Sequence, residues 1–397
     1  MLAQQLDPND RFRMRRQQAR RRRARQRILV FAVLLLAGAA VALGAAFVRH
    51  STSSPAGTSR GSGGSKQAAA APKPRASRTP PAEIRGVHVT MSLAAIRGKL
   101  AGYVRLERFG LNTIELDVKD ESGEVAFRSP ELTLANRIGA ARSEYRPATV
   151  VRSLHRQGLY VIGRVVTFED PILGRKVPRM AIRKPGGGVW TTSTGLAWTN
   201  PYSRAVWRYN VDIAAAAARA GFDEIMFDYV RFPSDGDVAH AVFHGRVHEP
   251  MDRTIARFLT YAHSRLHPLG VRVGAAVFGL AATQNLGIGQ KPRGLSKVLD
   301  VIHPMVYPSH YTPGEFNLPD PNADPGDTVW FSLRDFKHAL AGRQTALVPW
   351  LQDFSLGRKY TLRDVQAQIK AARVMGSSGF LLWNAAGVYT PDALRGR

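Results

Sequence analysis

From Glu83 to its end the chain repeats one pattern, a short apolar, β-branched run followed by a longer stretch of helical spacing. This alternation limits the possible folds more than any other feature. Strands are expected at 84–90, 113–120, 160–169, 224–232, 271–279, 301–307, 345–353 and 379–384. Helical periodicity fills 93–109, 148–157, 203–220, 254–267, 332–340 and 362–375. Several helical stretches stop at a glycine just before the next strand: Phe109-Gly110, Gln157-Gly158, Ala220-Gly221 and Leu269-Gly270. Glycine takes the left-handed conformation that ends a helix without a Cβ penalty. Eight strands alternating with helices over ~310 residues predict an α/β fold, a closed parallel (β/α)8 TIM barrel. An open doubly wound sheet fits less well, because no glycine-rich phosphate loop follows the first strand.

In such a barrel the functional side chains lie where strands pass into loops, at the C-terminal face. The polar residues at those positions are His88; Asp117, Lys119 and Asp120; Glu169 and Asp170; Asp228 and Arg231; His303 and Tyr307; Gln352 and Asp353; and Trp383 and Asn384. Strand five ends without a carboxylate. On strand four, in GFDEIMFDYVRFPSDG, Glu224, Met226 and Asp228 alternate onto one face while Ile225 and Phe227 take the other. A carboxylate in an apolar strand is costly unless it is paired or functional. Asp228 is therefore the leading catalytic candidate, with an ion pair to Arg231, Lys119 or Arg164 as the structural alternative.

The segments IRGVHVT, IELDVKDESGEVAF, GLYVIGRVVTFEDPIL, GLAWTNPYSRAVWRYN, FDEIMFDYVRFPSDG, HPMVYPSHY and PWLQDF occur in order between about Glu83 and Tyr389. Together they resemble the bacterial family described as a putative glycosyl hydrolase domain, and the strand-four motif is the most specific of them. The resemblance implies an exported glycoside-hydrolase-type barrel that cleaves a polysaccharide or oligosaccharide with two carboxylates. One protonates the leaving oxygen, and the other attacks the anomeric carbon or activates water. Asp228 sits where α-amylase-type barrels place the strand-four nucleophile. Those enzymes carry an arginine two residues earlier, where this chain has Met226, and Phe278 and Tyr307 stand where they carry the acid.

The second carboxylate must come from elsewhere. Asp353 is the first choice, with Asp117 and Glu169 behind it, each also readable as a structural ion pair. Lys119, Arg164, Arg231, Tyr307, Gln352 and Trp383 are the expected substrate contacts. Trp190, Trp198, Tyr307, Trp350 and Trp383 could offer flat faces to sugars, although an aromatic in a barrel usually packs its core. Trp383 is the exception favoured for the mouth, and PGGGVW at 185–190 is expected to turn near the rim. A non-catalytic carbohydrate-binding, envelope-organising barrel is the rival function. A zinc site of His88, Asp228 and His303 is a weaker one, since no HxH or HExxH spacing exists. Neither a metal nor any other cofactor is expected.

Ahead of the barrel, 28–48 reads ILVFAVLLLAGAAVALGAAFV, 21 residues without a charge. As a helix it would span about 30 Å, the thickness of the bilayer hydrocarbon. Ten arginines among residues 1–27 should keep that tail in the cytoplasm. The length of the apolar run favours an uncleaved transmembrane signal-anchor over a cleaved signal peptide, and either would export the rest. Residues 49–82, rich in Ser, Gly, Ala, Pro and basic side chains, read as a disordered linker, leaving 83–397 for the barrel. Of the formal charge of +26, the tail carries +8 and residues 49–81 carry +6, leaving +12 for the remainder. That remainder is scattered, which suits a solvated surface and not a specific nucleic-acid partner. The absence of cysteine excludes disulfides and thiolate metal sites.

Overall fold

The computed structural model describes residues 78–245 and 249–395. The basic tail, the apolar run 28–48 and all but the last residues of the expected linker lie outside the described residues. Among the described residues no helix is long and apolar enough to cross a membrane.

The strands are β1 (Ile84–Val89), β2 (Thr113–Lys119), β3 (Tyr160–Val166), β4 (Glu224–Asp228), β5 (Arg272–Phe278), β6 (Val301–Val306), β7 (Ala346–Leu347), β8 (Trp350–Gln352) and β9 (Gly379–Trp383). Every pairing is parallel, and β5 pairs with β6 as well as β4, while β9 pairs with β1. The sheet therefore closes on itself, with β7 and β8 as two pieces of one stave. That stave was expected as one strand over 345–353; it breaks at Val348-Pro349, where proline has no N–H to give a ladder.

The alternation in sequence becomes inside and outside. Ile225 and Phe227 join the large core between the barrel wall and the helices, while Met226 packs in the lumen with Ile84, Tyr160, Ile162, Val301, Val348, Trp350 and Leu381. The longer helices are α1 (Pro147–Arg156), α2 (Arg204–Ala220), α3 (Met251–Leu266), α4 (Pro325–Ala339) and α5 (Leu362–Val374). α2 shows how they form. Ser203 Oγ caps it by accepting from Val206 N, and its buried Val206, Trp207, Asn210, Val211, Ala214, Ala217 and Ala218 recur at three- and four-residue spacing. Gly221, at φ 114°, ends it. Gly110, Gly158 and Gly270 likewise have positive φ. The helix expected over 93–109 is instead two short helices, Met91–Ala95 and Lys99–Val104, and a 3-10 turn, broken where Gly98 turns left-handed at φ 76°.

Candidate active site at the barrel mouth

β4 ends at Asp228, four residues earlier than the sequence pattern implied, because Tyr229 takes φ 48° and bends the chain out of the sheet. Positive φ is uncommon for a tyrosine and is sustained only where surrounding contacts over-determine it. Asp228, two residues after the lumen-packed Met226, shares its face at the end of the strand. Its Oδ2 accepts from Arg164 Nε at 2.9 Å and Nη2 at 2.7 Å, and its Oδ1 accepts from the Tyr229 backbone N–H at 2.7 Å. Three of about four lone-pair positions on the carboxylate are thus taken. The side chain is 2% exposed.

Arg164 supplies the guanidinium that the sequence lacked beside Asp228. In the β3–β4 register Arg164 lies opposite Met226, so the charge comes from the neighbouring strand at the level where it was missing from β4. Its Nη1 also donates to Asp117 Oδ1 at 2.8 Å, and both Nη1 and Nη2 lie 3.3 Å from Glu121 Oε2. Asp117 is thereby committed to holding Arg164, with His88 Nε2 3.8 Å from its other oxygen. His88 Nδ1 lies 3.2 Å from Glu115 Oε1. Burial opposes a charged imidazole there, but the carboxylates of Asp117 and Glu115 outweigh it and raise the His88 pKa. Glu121, half exposed at the rim, is held below the usual carboxylate range by Arg164.

Glu169 is the carboxyl group in a different state. Burial pushes its pKa up to about 7 against a normal 4.5, although Arg231 and a hydrogen bond act the other way. That bond is donated by Trp198 Nε1 to Glu169 Oε2 at 3.0 Å. Arg231 is buried with its guanidinium 4.9 Å from the Trp198 ring, 5.2 Å from Tyr229 and 4.8 Å from Phe278. Burial, with the charges of Glu169, Asp228 and Glu121, raises the pKa of the Tyr229 hydroxyl.

Several expected site residues are used otherwise. Lys119 is wholly buried outside the lumen. The β2–β3 register shifts between Asp117 and Lys119, and this irregularity turns its side chain toward α2. There it pairs with Asp170 at 2.8 Å and donates to Asn210 Oδ1 at 3.1 Å, so it cannot reach a substrate. Asp353, the first choice for the second carboxylate, accepts Thr390 N–H on Oδ2 and Thr390 Oγ1 on Oδ1, both at 2.7 Å, and clasps the C-terminal segment. Gln352 is fully buried and braces loops through Ser309 N, Phe354 O and Gln368. Trp190 donates its Nε1 to Asp237 O and is buried packing. Tyr307, directly after β6, and Trp383, at the end of β9, have ring centroids 5.5 Å apart, with Phe354 against both.

The zinc set does not assemble. Both nitrogens of His303 are engaged, Nδ1 with Val348 O at 3.0 Å and Nε2 with Glu224 Oε1 at 2.7 Å. Among the described residues no group of three or more His, Cys, Asp or Glu side chains could hold a metal ion. Glu115 and Glu121 were not among the candidates. Glu115 was legible, two residues before Asp117 on the same face; Glu121 lies in a loop, where no periodicity points to a direction.

The family whose model matches is described as a putative glycosyl hydrolase domain, over residues 86–389. Among solved structures, a hypothetical protein from Ruminiclostridium thermocellum is 34% identical, covering 48% of this chain and 96% of its own, at a TM-score of 0.43. The PgaB (BpsB) glycoside hydrolase domain from Bordetella bronchiseptica is 14% identical, covering 77% and 95%, at 0.50. The glycoside hydrolase domain of PelA from Pseudomonas aeruginosa is 12% identical, covering 77% and 96%, at 0.47. No curated protein matches the sequence.

Proposed function

Because the chain belongs to the putative glycosyl hydrolase domain family, we propose that it hydrolyses glycosidic bonds of an extracellular or cell-envelope polysaccharide, with Asp228 as nucleophile or base and Glu169 as general acid. The observation that carries this reading is the pair of unlike carboxyl environments. Asp228 is ion-paired with Arg164, whereas Glu169 is buried with a pKa near 7. Arg164 stands beside Asp228 as a counter-charge, and the raised pKa of Glu169 suits it to the acid role. Glu169 gives its proton to the glycosidic oxygen as the C–O bond breaks. Asp228 either bonds to the anomeric carbon through its remaining lone pair, or takes a proton from the water that does. Where Asp228 has bonded to the anomeric carbon, Glu169, then a carboxylate, takes a proton from the water that attacks that carbon and displaces Asp228. Where Asp228 has taken the water's proton, it releases that proton to solvent as Glu169 regains one. Arg164 balances negative charge throughout, and Arg231 favours the ionised product form of Glu169.

The domain is proposed to act outside the cytoplasmic membrane, tethered by residues 28–48; the support is the uncharged 21-residue run behind ten arginines. Trp383 is proposed as the stacking surface at the rim.

A second reading, a carbohydrate binder without turnover, is favoured by the near-complete burial of Asp228 and its three accepted hydrogen bonds. Incubation of the purified domain with a panel of envelope and extracellular polysaccharides separates the two. Hydrolysis predicts new reducing ends; retention of a polysaccharide without new reducing ends would establish the binder instead.

A further inference from the structure

At the C-terminal ends of β1 and β9 lies a cavity of about 210 Å³, open to solvent and lined by Lys99, Gly102, Tyr103, Leu106, Gly387 and Tyr389. At ~30 Å³ per water it has room for about seven waters, the scale of one sugar ring. Its walls are fixed. Tyr103 Oη donates to Gly387 O at 2.9 Å, and the Tyr389 hydroxyl donates to the carbonyl of His88, near the end of β1. The two tyrosine rings stand 6.1 Å apart at 68° to each other. Gly387 has φ 62°, and a Cβ there would collide with Tyr103 Oη and Leu93 Cδ1, so the loop after β9 is pressed onto the connection between β1 and β2.

Gly102 is a different case. It lies inside the helix Lys99–Val104, where glycine costs stability relative to alanine. Packing does not demand it, because a Cβ there would meet only Arg105 Nη2, at an ordinary 3.6 Å. What the missing side chain does is leave the cavity open. The surround is positive. Residues 91–106 carry Arg97, Lys99 and Arg105 and no acid, and residues 384–391 carry no charge. Lys99 Nζ lies 5.7 Å from the centre of the Tyr103 ring, and among the described residues neither Lys99 nor Arg105 has an ion-pair partner. The mouth is the opposite, since Asp117, Glu121 and Asp228 all gather on Arg164. A small open space with two aromatic rings, two cations and no acid suits a negative charge carried on a ring with C–H faces. We infer that this cavity is an outer subsite for an anionic sugar residue of the polysaccharide, its charged group held by Lys99, while the cleaved bond lies at Asp228. This rests on the polysaccharide reading and adds a negatively charged residue to the substrate.

The test is binding, measured without cleavage, on the full-length chain in mild detergent. Methyl glycosides of glucuronic, galacturonic and mannuronic acid, and methyl glucoside 6-phosphate, are titrated by saturation-transfer NMR against their neutral methyl hexosides. The proteins are wild type, Lys99→Met and Gly102→Leu. All three share the same basic tail, so differences among them report the cavity. Wild type should bind at least one anionic glycoside about 10-fold more tightly than its neutral counterpart, the worth of one charge-assisted hydrogen bond. Preference for carboxylate or phosphate tells which group the substrate carries. Lys99→Met should lose the preference for the anion. Gly102→Leu should fill the cavity and abolish binding, with a melting temperature unchanged or raised, since leucine favours a helix that glycine weakens. No binding by wild type, binding without preference for the anion, or a preference kept by Lys99→Met or by Gly102→Leu would overturn the inference. Failure of wild type to release reducing ends from any polysaccharide would overturn the hydrolase reading and leave these binding outcomes to stand or fall alone.

Discussion

Arg164 organises the mouth more than any other residue, since its single guanidinium holds Asp228 from β4, Asp117 from β2 and Glu121 from the rim. Removing one member of a buried ion pair strands the others, at a cost of about 3–5 kcal/mol. Arg164→Met should therefore lower unfolding stability by that amount in urea titrations, well beyond the effect of a surface arginine. Glu169 gives a pH signature. Its folded pKa is raised to about 7 from 4.5, so its contribution to stability is fully present below about 4.5. That contribution is lost as pH rises through about 7, because the unfolded chain ionises first. Glu169→Gln should remove this decline, gaining up to ~3 kcal/mol on wild type at pH 8 and nothing at pH 4. In activity, wild type should fall as pH passes about 7, and Glu169→Gln should be slow with no such alkaline limb.

At the scale of elements, period-two alternation and terminal glycines gave strand order, facing and helix ends, and they placed Asp228 correctly in the lumen. What they could not give were departures from regular geometry. Lys119 follows Glu115 and Asp117 in the same alternation, yet a one-residue irregularity sends it out of the barrel to Asp170. Tyr229 ends β4 by a backbone conformation that no tyrosine signals in sequence. Asp353 stands at a strand end like Asp228, but its partner Thr390 is 37 residues away, a distance that spacing rules do not reach. Arg164 was readable as an ion-pair partner of Asp228 or a substrate contact, but its service to β4 depends on inter-strand register. The reassignment of Lys119 is testable. Lys119→Met should destabilise by about 3–5 kcal/mol through an unpaired Asp170, while the folded fraction keeps wild-type KM for any polysaccharide it cleaves. A raised KM at full folding would return Lys119 to the substrate.

For the whole molecule, closure of β5 on β6 and of β9 on β1 creates one mouth, and the candidate chemistry gathers at its β2–β4 side. The proposed anchor adds a location to that chemistry. Deleting residues 28–48 should move the protein from the alkaline-carbonate-resistant membrane fraction to the soluble one; retention in the membrane would remove the anchor from the account. The central claim is that the carboxylate of Asp228 takes part in bond cleavage. Its most direct measure is the kcat of folded Asp228→Asn against wild type on the polysaccharide that wild type degrades. We expect a loss of at least ~10²–10⁴-fold, the usual worth of a nucleophile or acid/base group. Equal rates for the two proteins would contradict it.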